Sequence, residues 1–217
     1  MKIVILGGNA AGMSAASRMK RKAPDTQVIV LEKTETVSYG ACGMPYYIAD
    51  LNPDLNRMKI RPVEKFREQG IDVRLNHEVE RVDRENKTVY GSCQGEPFAI
   101  SYDKLLVATG SSPIVPPLSG IDLAGIFPLK TLEQAAALKN ALGPEKDVVI
   151  VGGGYIGLEL AEACLLRKVR SLTLVEAADH VLTTFDDEFG EAAVAELQKH
   201  GVRVCLSQRV KGFSGED

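Results

Sequence analysis

The sequence predicts an α/β fold made of two similar three-layer halves, and three observations lead there. An apolar run precedes a glycine cluster twice, Ile3 to Leu6 before Gly7 and Val148 to Val151 before Gly152. Each cluster opens a small-residue stretch that leads to a second apolar run ending in an acid, Val28-Ile29-Val30-Leu31-Glu32 and Leu172-Thr173-Leu174-Val175-Glu176. Gly7 and Gly12 recur at Gly152 and Gly157, both 145 positions later, so the pattern is an internal repeat. Strand, tight turn, helix, strand and acid form half of a βαβ unit of a doubly wound sheet.

The strands Ile3 to Leu6 and Val148 to Val151 are expected at the centres of separate parallel sheets. In the helix after the first turn, Ser14, Arg18 and Arg21 recur at i, i+4 and i+7 and so share one face. Between the copies, Val73 to Leu75, Glu78 to Val82, Thr88 to Tyr90 and Lys104 to Ala108 read as strands, with turn residues at Asp83 to Asn86 and Gly91 to Gly95. Gly110 to Pro117 contains three prolines and reads as a linker, which sets domains at 1–112 and 113–217. Thr131 to Leu142 reads as a helix capped by Thr131 and stopped by Gly143-Pro144. Phe185 to His200 is a further helix closed by Gly201, and Val202 to Leu206 a last strand.

Composition narrows the function. A net charge of -3 supplies no basic field for nucleic acid or an acidic membrane. No apolar run approaches the roughly 18 residues that span a bilayer. Gly7, Gly8 and Asn9 break the N-terminal apolar stretch, and Arg18 and Lys20 to Lys22 follow, unlike a secretory signal. Cysteines 42, 93, 164 and 205 have no CxxC spacing, and His77, His180 and His200 are the only histidines, so no metal site is expected. A reducing, cytoplasmic setting fits this cysteine usage.

The glycine turns point to dinucleotides. A tight turn, a bare backbone beside pyrophosphate and free N–H groups at a helix start are what such a ligand requires. Gly152-Gly153-Gly154-Tyr155-Ile156-Gly157 meets the GxGxxG pattern throughout, whereas Gly7-Gly8-Asn9-Ala10-Ala11-Gly12 has Asn9 in the middle position. Asn9 is expected to be tolerated there because asparagine accepts left-handed backbone angles. Glu32 and Glu176 are placed to accept a ribose 2′-OH and to repel a 2′-phosphate. Ala177 and Ala178 bring no cation, so the second turn is expected to prefer NADH, with NADPH as the other candidate. Cys42 lies among small residues in Ser38-Tyr39-Gly40-Ala41-Cys42-Gly43-Met44-Pro45, with room for a ligand or a flavin ring, while Cys93, Cys164 and Cys205 read as packing residues.

The first turn, the Ser38 to Ile48 segment, Asp103-Lys104-Leu105-Leu106-Val107-Ala108-Thr109-Gly110 and the second turn occur in one order. In that order, and over the whole chain, the sequence resembles the flavin-dependent pyridine nucleotide-disulfide oxidoreductases, in the single-cysteine branch with coenzyme A disulfide reductase, NADH oxidase and NADH peroxidase. The resemblance implies two Rossmann-like FAD/NAD(P)-binding domains, both incomplete here, with 1–112 belonging to the FAD part and 113–217 to the NAD(P)H part. It implies that the first turn, Glu32, Lys33 and Val79 hold the adenosine half of FAD, that Ala108, Thr109 and Gly110 pack near the flavin, and that Lys130 contacts it. Tyr155 would cap the flavin face, with Glu159 one helical turn on, and Cys42 would be the redox cysteine. Two-cysteine members carry a partner five residues later, where this chain has Tyr47.

Within the family, the peroxide- and oxygen-reducing members often carry a histidine in the first turn, and Asn9-Ala10-Ala11 has none. In the coenzyme A disulfide reductases the face matching Ser14, Arg18 and Arg21, with Ser38 and position 41, contacts the coenzyme. The family often has Asn at 41, and Ala41 forfeits that amide. The expected function is therefore reduction of a coenzyme A-type disulfide or persulfide through Cys42. An oxidase or peroxidase using a Cys42 sulfenic acid is the second reading, and a non-catalytic nucleotide-binding fragment the third. Full-length members run to roughly twice this length and dimerise through a further domain, so this chain is read as truncated and as holding FAD weakly.

Overall fold

Consecutive apolar residues are buried together only where both faces of their strand are covered. This happens in β1 (Lys2–Leu6) and β2 (Gln27–Leu31), where Val4, Ile5 and Val30 have no exposed surface. A computed structural model describes residues 1–215, so Glu216 and Asp217, the last two residues of the expected second domain, lie outside the described residues. The chain divides into two compact units, Met1–Gly40 with Asn56–Ser112, and Ala41–Leu55 with Pro113–Asp217.

In the first unit, β1 pairs in parallel with β2 and with β7 (Lys104–Val107), and β2 pairs with β3 (Ile71–Arg74), giving the order β3-β2-β1-β7. Alternation along each strand feeds two cores. Ile3, Ile5, Val28 and Val30 face Met13 and Ala16 of α1 (Ala10–Lys22) and Phe66 of α3 (Val63–Arg67). Val4, Leu6, Ile29 and Leu31 meet Val89 and Ile100. Those two belong to an antiparallel meander of β4 (His77–Asp83), β5 (Thr88–Cys93) and β6 (Glu96–Ser101). Helix, parallel sheet and meander are the three layers, and each fully buried Ile or Val contributes roughly 1.5–3 kcal/mol.

β6 and α3 are among the elements that escaped the sequence reading. β6 contains Pro97, which belongs on an edge strand, and β6 is the outer strand of its sheet. The hairpin into it turns on Gln94 and Gly95, both at positive φ. α3 is a five-residue helix behind Pro62, too short to display a period.

In the second unit, β8 (Asp147–Val151), β9 (Ser171–Val175) and β10 (Arg203–Cys205) form a parallel sheet of order β10-β9-β8. The two repeats thus lie in separate sheets, but only β1 is internal. β8 has one strand neighbour among the described residues and is an edge, against expectation. Its alternate residues differ sharply: Ile150 is buried, whereas Val149 and Val151 are 61% and 56% exposed. α5 (Tyr155–Leu166) packs on β8 and β9, and α6 (Asp187–Lys199) on β10. No described helix is long and apolar enough to cross a membrane.

α4 (Leu132–Ala141) begins as expected. Thr131 Oγ1 accepts the Gln134 N–H at 3.3 Å, and Gln134 Oε1 accepts the Thr131 and Lys130 N–H groups at 3.2 and 2.8 Å. Thr131→Ala is expected to cost about 1 kcal/mol, read as a lower urea midpoint at unchanged slope.

The thiol segment groups differently from its reading. Ala41–Leu55 belongs with Pro113–Asp217, because α2 (Met44–Ile48) packs on α4 and α5.

Candidate functional site

The two glycine turns share one hydrogen-bonded frame. Gly7 and Gly152 turn the chain at φ +103 and +108, and donate to the carbonyls of Leu31 and Val175, each at 2.8 Å. The next glycines, Gly8 and Gly153, donate their N–H groups to Glu32 Oε2 at 2.7 Å and Glu176 Oε2 at 2.6 Å. Their carbonyls accept from Ser38 and Leu182, each at 2.9 Å, and those two residues stand at φ 52 and 54. Glu32 N–H and Glu176 N–H reach the carbonyls of Arg74 and Cys205 on the next strand, each at 2.9 Å.

Side chains are excluded where the frame is tight. A Cβ on Gly12 or Gly157 would overlap the carbonyl oxygen of Gly7 or Gly152. One on Gly8 would meet Val37 and Glu32, and one on Gly153 would meet Val181. Gly153 was not among the residues expected from sequence, although its place beside Glu176 repeats that of Gly8 beside Glu32. Ala108 and Thr109 close the first turn from the side, since a Cβ on Gly7 would run into the Ala108 carbonyl. Gly110 follows at φ 68.

The middle position has a different logic from the one expected. Asn9 and Gly154 are the N-caps of α1 and α5 in extended conformation, at φ -100 and -78, so no left-handed angle is required. Asn9 Oδ1 instead accepts the Tyr39 N–H at 3.2 Å. A Cβ on Gly154 would meet nothing within 4 Å, so the protein itself leaves that space open.

The glutamates differ in their partners. A carboxylate has about four acceptor positions. Glu32, buried, uses three, because Thr34 N–H and Oγ1 reach Oε1 at 2.8 and 2.9 Å. Glu176 accepts the Gly153 N–H on Oε2 and the Ala178 N–H on Oε1 at 2.7 Å, and receives no side-chain hydroxyl like that of Thr34. Burial works against its charge, but N–H groups of Ala178, Gly153 and Ala177, with nearby His180, hold the Glu176 carboxyl below its ordinary pKa. His180 is raised chiefly by its hydrogen bond to Asp179, at 2.7 Å, and its other nitrogen lies 3.6 Å from Asp187.

Ser14, Arg18 and Arg21 are all exposed on α1, as their spacing requires, and neither arginine has an ion pair among the described residues. Arg21 also lies in the last turn, where a cation complements the helix dipole. Lys33 and Lys130 are exposed, and Val79 packs partly buried beneath the meander at a bulge in β4. Tyr155 opens α5 half exposed, its hydroxyl 3.3 Å from Thr184 Oγ1 and its ring edge-on to Phe185, with Ile156 exposed beside it.

Cys42 is exposed in a single turn of 3-10 helix, Ala41–Gly43, that runs into α2. Glu159 of α5 lines a crevice with Pro45, Tyr46 and Ala49 of the α2 segment. Ser38 lies in the first unit and Ala41 in the second. Cys164 is buried, and burial pushes its thiol up to about 11. A groove of about 550 Å³ lies between α5 and α6 along Leu158, Leu165, Leu197 and His200, and no expected site residue lines it.

The chain is similar to known proteins in both sequence and fold. The NAD(P)H sulfur oxidoreductase (CoA-dependent) of Pyrococcus abyssi is 39% identical over 99% of this chain and 48% of its own length. The NADH oxidase of Enterococcus faecalis is 33% identical over 100% of this chain and 49% of its own. The NAD-dependent persulfide reductase from A. fulgidus superimposes with a TM-score of 0.94 at 34% identity, covering 100% of this chain and 42% of that one. The chain therefore spans about half the length of the curated relatives it matches. A family model described as pyridine nucleotide-disulphide oxidoreductase matches residues 1–217, and the chain belongs to that family.

Proposed function

We propose that this chain is the coenzyme- and thiol-bearing part of an NAD(P)H-dependent flavoprotein that reduces a disulfide or persulfide of coenzyme A type through Cys42. The observation that carries the reading is the presence of two matching glycine-turn and glutamate frames together with one exposed thiol. The residues fit two dinucleotides: each turn ends at a helix start with free N–H groups, and each glutamate keeps acceptor positions open. Gly7 to Gly12, Glu32, Lys33, Val79 and Ala108 to Gly110 would hold FAD, with Lys130 as a further contact. Gly152 to Gly157, Glu159 and Glu176 would hold NADH, with Tyr155 and Ile156 at its mouth. When bound, the pair supplies the two electrons that return Cys42 from a mixed disulfide to the thiolate.

The protein's own chemistry is thiol exchange. The Cys42 thiolate attacks one sulfur of the substrate disulfide, forms the Cys42–substrate disulfide and expels the other half as a thiolate. Tyr47 stands where a resolving cysteine would be, so substrate sulfur remains on Cys42 until it is reduced. The exposed Arg18 and Arg21 face with Ser14, Ser38 and Ala41 would receive the coenzyme's phosphates and pantetheine, since guanidinium forks suit phosphate oxygens. A cytoplasmic setting and a homodimer of the longer protein belong to the same reading.

The test is NADH oxidation by flavin-loaded protein with coenzyme A disulfide as acceptor. Arg18→Ala and Arg21→Ala are each expected to lower kcat/KM for that acceptor by a factor equal to about 1–3 kcal/mol, the range for a charge-assisted contact. Unchanged kinetics, with fast Cys42-dependent turnover of peroxide or oxygen, would replace this reading with the sulfenic-acid oxidase.

A further inference from the structure

We propose that Asp50 is the positioning residue for the Cys42 thiol, because its carboxylate locks the short helix behind the thiol onto α4 and the end of α5. The functional weight of this rests on reading Cys42 as the redox group.

Asp50 closes α2 at φ 67, a left-handed position that glycine fills with least strain. An aspartate there forgoes that ease and gains a carboxylate. Oδ1 lies 2.5 Å from Lys139 Nζ on α4, and Oδ2 takes the Arg167 guanidinium just past α5. Both cations are largely buried, at 12% and 22% side-chain exposure, and this one carboxylate serves them both. Each cation has a second hold on the same junction. Lys139 Nζ stands 4.2 Å from the centre of the Tyr47 ring, and Arg167 donates to the Leu142 carbonyl at 3.2 Å.

The segment between thiol and clasp has little freedom. Ile48 is fully buried, Tyr47 nearly so, and the Ala49 N–H returns to the Pro45 carbonyl at 2.9 Å. Removing the carboxylate would leave two neighbouring cations without an anion, on the two helices that hold α2. The thiol turn at the other end of this five-residue helix would then lose its anchor.

The test is site-resolved alkylation of the 217-residue chain by iodoacetamide, with Cys93 and Cys205 as internal references. Asp50→Asn keeps the shape and removes the charge. Asp50→Gly suits the left-handed angle and removes the carboxylate. Both are expected to change the Cys42 alkylation rate about three- to ten-fold, because the rate of an exposed thiol depends on the surroundings its turn holds it in and the variants release that turn. Lys139→Met, which keeps the packed stem, should move the rate the same way. Alkylation of buried Cys164 identifies any variant that has unfolded, and Lys139→Met then decides alone. An unchanged Cys42 rate in the folded variants overturns the proposal. So does a changed rate in the Asp50 variants beside a wild-type rate in Lys139→Met, which would place the effect in the turn and not in the ion pair. The readout is thiol reactivity and not turnover, so it succeeds or fails independently of the redox role of Cys42.

Discussion

Cys42→Ser is expected to lower kcat/KM for disulfide reduction by about 10³-fold or more, the scale of losing a covalent nucleophile, with NADH affinity at the second turn unchanged. Serine keeps the size and removes the only thiol both exposed and adjacent to a short helix start. The other cysteines offer no substitute. Cys164 is buried with its thiol pushed up to about 11, so almost none is ionised at neutral pH. Cys93 ends a strand beside the Gln94-Gly95 hairpin, and Cys205 spends its carbonyl on the Glu176 N–H. Replacing either with Ser should change rates by no more than about two- to three-fold, as for substitutions away from reacting groups. Stopped-flow measurement of NADH oxidation with coenzyme A disulfide separates these outcomes. Residual reduction above one-tenth of wild type in Cys42→Ser would remove the thiol from the mechanism.

The second large effect concerns coenzyme choice. Glu176→Gln combined with Ala177→Arg should move the ratio of kcat/KM for NADPH over NADH by about 10²-fold, since repulsion of the 2′-phosphate is exchanged for a charge-assisted contact. Gln keeps an oxygen for one of the two backbone donors, the Gly153 and Ala178 N–H groups, that the carboxylate now accepts. Glu176→Ala would orphan both, costing about 1–3 kcal/mol each at the turn itself, and would confuse specificity with stability. His180, which lies near the glutamate, is already engaged by Asp179 and Asp187 and is not free for a phosphate. The sign with pH follows from the lowered Glu176 pKa. The Glu176 contribution to discrimination against NADPH is fully present above the ordinary carboxyl range and is lost only as pH falls through the depressed value, so it should be flat between about pH 7 and 8, where the 2′-phosphate is also fully ionised. Strong NADPH preference in the wild type would refute the argument.

The repeat, most strands and both glutamates were legible in the sequence because parallel strands buried on two faces leave uninterrupted apolar runs, and glycine turns leave fixed spacings. The carboxylate-to-glycine hydrogen bonds were not legible, since nothing in the spacing of Gly8 and Glu32 says that the acid bonds its own turn. Asn9 shows how a correct allowance can have a wrong cause: it is tolerated as an extended N-cap bonded to Tyr39, not as a left-handed residue. The Asp50 junction was invisible because it joins residues 89 and 117 positions apart along the chain, from Asp50 to Lys139 and to Arg167. Only tertiary packing brings such residues together.

The open side of β8 bears on how this chain behaves in the tube. Val149 and Val151 present apolar surface beside a strand edge whose N–H and C=O groups are unpaired among the described residues. Such an edge is a template for strand addition from another molecule. Purified samples should therefore show concentration-dependent association that a lysine at position 149 suppresses, and binding assays on the isolated chain belong in the dilute range.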